Sequence, residues 1–160
     1  MKLNTFKRLK LVLFDFDDTL AVHEGHLSCS KLTYLTCIHS DNTDPWKGTK
    51  KNVQLEKFMN LCVKNNIEIG LISATTSYTA GKRKEEWVLD NYGIACENFC
   101  VGDSEQKIIE MQALANARGL DNSEIAIIDD YYRTVESAAD ARFVACTPLE
   151  IVNFINEMGI

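Results

Sequence analysis

The chain has 160 residues, enough for one domain with a single substantial core, and its 46% hydrophobic and 25% charged composition argues against disorder. A net charge of −6 argues against a general nucleic-acid or membrane-surface binder, because both need a cationic face to displace counterions. The six cysteines (Cys29, Cys37, Cys62, Cys96, Cys100 and Cys146) contain no C-x-x-C pair, and no segment reads as an export signal or a membrane span, so they are expected to be reduced thiols in a cytoplasmic protein.

Strand-like and helix-like runs alternate along the chain. The first strand, Lys10–Phe14, is apolar after its lysine and runs straight into Asp15, Asp17, Asp18 and Thr19. The stretch from about 21 to 51 lacks clear periodicity and reads as a flap or loop insertion. It carries His23, His26, Cys29, Cys37, His39 and Trp46, whose spacing fits no standard zinc pattern; the histidines are expected to flank a cleft. Leu55, Phe58, Met59 and Cys62 then follow the i, i+3, i+4, i+7 rule of a helix with one buried stripe.

A second strand, Ile67–Ile72, ends in Ser73, Ala74 and Thr75. A helix through Glu85–Tyr92 can stop at Gly93, and Phe99–Gly102 reads as the third strand. The next helix starts near Ser104, turns Ile108, Met111 and Leu114 inward and stops at Gly119; Lys107 lies in its first turn. The fourth strand, Ile125–Ile128, ends in Asp129 and Asp130, followed by Tyr131 and Tyr132. After a fifth strand, Arg142–Cys146, the segment "TPLE" is a capping box with Thr147 as N-cap, Pro148 at N1 and Glu150 at N3.

This alternation predicts an α/β fold: a doubly wound, Rossmann-like parallel sheet of about five strands, helices on both faces, in one domain over 1–160. Ligands of such sheets sit beyond the carboxyl ends of the strands, where Asp15, Asp17, Ser73, Asp129 and Asp130 are all placed. Any one of these acids alone would be an ordinary turn former or helix cap. Acids from two strands at one rim repel, and a divalent cation relieves the repulsion; a set of oxygens without His or Cys suits Mg²⁺. A carboxylate such as Asp15 can attack a phosphoryl group, while Asp17, two residues on, can exchange protons with the leaving oxygen and with water. Ser73 and Ala74 at the second strand's end, with Lys107, are the groups expected to meet the phosphoryl charge. Lys82 and Lys84 are alternatives to Lys107, which is preferred because its helix feeds the acidic strand.

The pattern resembles the haloacid dehalogenase-like hydrolase superfamily. "DFDDT" matches its D-x-D-x-T motif, Ser73 in "IGLISATTS" its strand-ending hydroxyl, Lys107 its helix-borne lysine and "IAIIDD" its acidic pair. The resemblance implies an Mg²⁺-dependent phosphomonoester phosphatase working through an aspartyl-phosphate. Asp15 would be nucleophile and metal ligand, Asp17 the acid/base that also offers its carbonyl to the metal, and Asp129 a ligand with Asp130 assisting. An acid at position 17 favours a phosphatase over a dehalogenase, whose halide departs without a proton. Neither the 21–51 stretch nor 75–97 holds a cap domain, so the cleft would stay open unless a second subunit covers it. Two alternatives stand beside this: a receiver-like module that holds a phosphoryl group, and a weakly catalytic member of the fold that binds a partner. The receiver order differs, since there the acidic pair comes first in the chain.

Overall fold

The computed structural model describes residues 1–22, 46, 49–75, 77–99 and 102–159. A short helix, α1 (Leu3–Phe6), leads into strand β1 (Leu11–Phe14), in which every residue is buried. Strand β2 (Ala21–Val22) pairs antiparallel with β3 (Lys50–Lys51), so the two ends of the 21–51 insertion meet at its base. There follow α2 (Val53–Lys64), β4 (Glu68–Leu71), α3 (Tyr78–Tyr92), β5 (Glu97–Asn98), α4 (Gln106–Arg118), β6 (Ile125–Ile128), α5 (Tyr132–Asp140), β7 (Val144–Cys146) and α6 (Pro148–Met158).

Five strands form one parallel sheet in the order β5-β4-β1-β6-β7, with β1 at its centre. Because side chains alternate across a strand, its two faces are sorted by residue parity. Val12, Phe14, Ala126 and Ile128 pack with Phe58 of α2, Val88 of α3 and Phe154 of α6. Leu11, Leu13, Ile125 and Ile127 pack on the other face with Met111 of α4 and Ala138 of α5. Burial on both faces explains why these strands read as continuous apolar runs rather than alternating ones. Among the described residues, no further layer forms a separate cap. No helix among them is long and apolar enough to cross a membrane.

Several boundaries differ from the sequence expectation. Helix α3 begins seven residues early, because the Ser77 hydroxyl accepts the Ala80 N–H at 3.2 Å and caps it. Strand β5 is Glu97–Asn98 rather than Phe99–Gly102. Pairing of Gly70 with Glu97 and of Leu71 with Asn98 starts the strand ahead of the expected one, and the Phe99 N–H still donates to Leu71 O at 2.9 Å. Cys100 and Val101 lie outside the described residues. Helix α5 follows the acidic pair but carries no legible apolar stripe, since its inward residues, Thr134 and Ala138, are small. The expected stops hold: α3 and α4 end on Gly93 and Gly119, both left-handed. The capping box of α6 also forms, with Glu150 N–H donating to the Thr147 hydroxyl at 3.3 Å and Thr147 N–H to the Glu150 carboxylate at 2.7 Å.

Candidate active site

The register sets the rim of the site. Phe14 pairs with Leu71 on one side and Ile128 on the other, so the residues following these three strands emerge level with one another. The ladder runs one step further: Asp15 N–H donates to Ile128 O at 2.9 Å, and Asp129 N–H to Cys146 O at 3.2 Å. Both acids are therefore held by the sheet itself, and both are buried. Lys107, buried on α4, donates from Nζ to Asp15 Oδ1 and to Asp129 Oδ2, each at 2.7 Å. The other oxygen of Asp129, Oδ1, accepts the Tyr131 N–H at 2.8 Å. The threonine of "DFDDT" has its own task. Thr19 donates to Asp130 Oδ1 and accepts the Asp130 N–H, both at 3.1 Å, tying the turn after β1 to the end of β6.

Past Asp15 the chain folds back at once, with Leu20 and Ala21 N–H both donating to Phe16 O. Asp18 sits at the bend with φ of 57°, a left-handed conformation that aspartate tolerates better than most residues, and its side chain is exposed. Asp17 points elsewhere. Its Oδ1 accepts the Trp46 indole N–H at 3.2 Å and its Oδ2 accepts Lys84 Nζ at 2.8 Å. Lys84 also donates to Ser73 Oγ at 2.6 Å and to Ala74 O at 3.5 Å. It is fully buried, its ammonium 5.1 Å from the Phe16 ring centre and 5.9 Å from that of Trp46.

Two buried lysines, not one, reach this rim. Lys107 does reach the acids, Lys82 pairs at the surface with Glu85, and Lys84 is a second buried cation in the site. The sequence carried a signal for it. Ala80, Lys84 and Val88 stand four apart on the buried stripe of α3, so a lysine at 84 has to point inward while one at 82 does not. Trp46, expected near the cleft mouth, is buried and touches the site through Asp17; Tyr131 and Tyr132 are exposed. Thr75 Oγ1 is buried and has no hydrogen-bond partner among the described residues. His23, His26, Cys29, Cys37 and His39 lie outside the described residues. Between the first turns of α4 and α5 a cavity of about 730 Å³ is lined by Ser104, Ile108, Tyr131 and Arg133 among others.

Charge is crowded here. Burial pushes the Asp15 carboxyl up to about 7; the Lys107 ammonium pulls it back down, and Asp129 adds to the rise. Burial works against the Lys107 ammonium too, but Asp15 and Asp129 together outweigh it and raise that group above the ordinary lysine value. Asp15, Asp129 and Asp130 each bring one carboxylate oxygen to within 4.8 Å of the others. An Mg²⁺ ion binds oxygens at about 2.1 Å, so oxygens across it lie about 4 Å apart, close to what this trio offers. The donors are all oxygen, and the acids Asp15, Asp17, Asp129 and Asp130 exceed the ammoniums of Lys84 and Lys107 by the charge of one divalent cation. The residues therefore fit such an ion. Asp17 would contribute through its carbonyl, because its carboxylate is engaged by Trp46 and Lys84.

No family model and no curated protein matches the chain. Solved structures do. A hypothetical protein from Xanthomonas campestris superposes with a TM-score of 0.54 at 21% identity, covering 90% of this chain and 65% of its own. An uncharacterised protein from Corynebacterium glutamicum gives 0.52 at 15% identity, with 95% and 96% covered. The cobalt-bound deoxy-D-mannose-octulosonate 8-phosphate phosphatase from Haemophilus influenzae gives 0.51 at 16% identity, with 87% and 67% covered. The chain thus spans about two thirds of the length of the first and third of these. At these identities the likeness is one of fold: this chain shares the α/β fold of these structures, with a five-stranded parallel sheet and no separate cap among its described residues.

Proposed function

We propose that the protein is a phosphatase acting on phosphomonoesters through an aspartyl-phosphate on Asp15, with Mg²⁺ as its cation. The observation that carries the reading is Lys107, whose one ammonium meets both Asp15 and Asp129, residues 92 and 22 positions away in the chain. Burying an ammonium and two carboxylates costs desolvation that an apolar core would not incur, and with a divalent cation added the cluster can accommodate a phosphoryl group.

In the first step an Asp15 carboxylate oxygen attacks phosphorus and the bond to the ester oxygen breaks. The departing oxygen takes its proton from Asp17, two residues away on the turn, which enters this step as the carboxylic acid and leaves it as the carboxylate that Trp46 and Lys84 hold. In the second, water attacks the phosphorus of the acyl phosphate and Asp17 takes its proton. The bond between phosphorus and Asp15 breaks, inorganic phosphate leaves, and the Asp15 carboxylate is restored. Ser73 donates to the phosphoryl oxygens, and Ala74 follows it at the same strand end. A bound divalent cation, held by Asp15, Asp129 and Asp130 with the Asp17 carbonyl, would supply Lewis-acid neutralisation of the phosphoryl charge. Substrates are phosphorylated molecules; the octulosonate phosphatase that shares the fold acts on one such molecule.

Turnover of p-nitrophenyl phosphate tests this. With Mg²⁺ the protein should complete many turnovers. EDTA should abolish them, and Asp15→Asn should lower kcat by about 10³-fold or more. Labelling by acetyl phosphate that persists without release of phosphate would favour a phosphoryl-accepting module instead.

A further inference from the structure

We propose that Lys84 is a positioning residue, which together with the Trp46 indole clamps the Asp17 carboxylate against Ser73 on the side from which a leaving group departs. The inference rests on the phosphatase reading and assigns a second lysine to it. Each oxygen of Asp17 has a separate holder: Oδ1 accepts from Trp46 at 3.2 Å, and Oδ2 from Lys84 at 2.8 Å. An ammonium has three N–H bonds, and Lys84 aims them at Asp17, Ser73 and, more loosely, the Ala74 carbonyl. One nitrogen therefore fixes the distance between the hydroxyl that faces the phosphoryl group and the carboxylate that faces the leaving oxygen.

For the fold alone, a cation at this place is a poor choice. Lys84 is 0% exposed, on the inward stripe of α3 with Ala80 and Val88 and beside the rings of Phe16 and Trp46. A methionine would fill that space without the desolvation cost of a buried ammonium. What the lysine adds is its hold on Asp17 and Ser73. The labour is thereby divided between two cations. Lys107 holds Asp15 and Asp129, and Lys84 holds Asp17 and Ser73.

A clamp on Asp17 makes a distinctive demand on kinetics. An alkoxide leaving group needs the proton that a well-placed Asp17 delivers, whereas p-nitrophenolate departs without one. The measurement is kcat/KM, which covers binding through departure of the leaving group, for p-nitrophenyl phosphate and for β-glycerophosphate. Lys84→Met should cost about 100-fold or more on the alkyl ester but under about 10-fold on the aryl ester. Lys84→Arg should recover part of the alkyl loss, and Trp46→Phe should show the same selectivity more weakly. Equal losses on both esters, with raised KM and weaker inhibition by orthovanadate, would overturn the clamp, because the lysine would then be binding the phosphoryl group itself. A readout independent of turnover is the ¹⁵N-labelled indole signal of Trp46, one of only two tryptophans and assignable by its loss in Trp46→Phe. It should shift in Asp17→Asn and in Lys84→Met or Lys84→Arg, and an unmoved signal strikes the proposal. A wild type that turns over neither ester defeats the phosphatase reading, and the indole signal still decides the clamp.

Discussion

Asp15 and Asp17 are two residues apart on one turn and keep opposite company. Asp15 is locked into the sheet and faces Lys107 and Asp129; Asp17 is turned toward Trp46 and Lys84, whose ammonium also reaches Ser73. Their substitutions should therefore fail differently. Asp17→Asn should let the phosphoenzyme form from an activated ester but slow its hydrolysis, so acid quenching should recover more covalent phosphate than from wild type. Ser73→Ala removes one donor to the phosphoryl oxygens and should cost about 10²-fold in kcat while leaving measurable turnover. Of these residues, the acids and Ser73 are legible in the chain as polar groups ending apolar runs. Lys84 is harder to read, because its role depends on a helix phase: it stands on the buried stripe with Ala80 and Val88, and Lys82, two residues earlier, stands off it. Thr19 shows the same limit. Its partner, Asp130, is 111 positions away, so no local pattern announces the bond.

At the scale of elements, local chemistry set the helix ends and pairing set the strand ends. The capping box at Thr147 can be read as four letters because every bond in it closes within one turn. Thr147→Ala should lower stability by about 1 kcal/mol, and so lower Tm by about 2–4 °C in a thermal melt. Strand β4 contains Gly70, where a Cβ would come to 2.9 Å from the Phe99 ring and 3.0 Å from Leu13 Cδ2. Gly70→Ala should therefore cost about 1–3 kcal/mol by overpacking, visible as a lowered denaturation midpoint. That constraint could not be read from the residues near Gly70, since Leu13 belongs to another strand. The same reason misplaced β5. An edge strand is defined by the neighbour that pairs with it, and here β4 pairs with the polar Glu97 and Asn98 that precede the apolar Phe99.

For the whole molecule, the decisive feature is the place of β1 at the centre of the order β5-β4-β1-β6-β7. The chain runs outward to one side of β1 and then returns to build the other, which opens a crevice beyond its carboxyl end. Charge collected there links the site to stability. In the metal-free protein Asp15 titrates near 7 rather than at its ordinary 3.8, so between those values the folded chain holds a proton that the unfolded chain has lost. This group's contribution to stability is full below about pH 4 and is withdrawn as the pH rises through about 7. A divalent cation binds the ionised form, so its effect has the opposite sign. Added Mg²⁺ should raise Tm more at pH 8 than at pH 5.5, and Asp129→Asn should remove most of that difference.

The alternation of apolar runs with amphipathic ones determined the α/β class, and the polar residues closing those runs determined the candidate acids. Both are local: periodicity and caps arise within a few residues, where backbone geometry dictates which side chains share a face. Only the tertiary structure decided which lysine meets which acid, that Asp17 faces Trp46 and Lys84, and that Thr19 braces Asp130. Those contacts join segments 22 to 111 positions apart, and their partners are selected by packing and by the need to pair buried charge, which no local stretch of chain encodes.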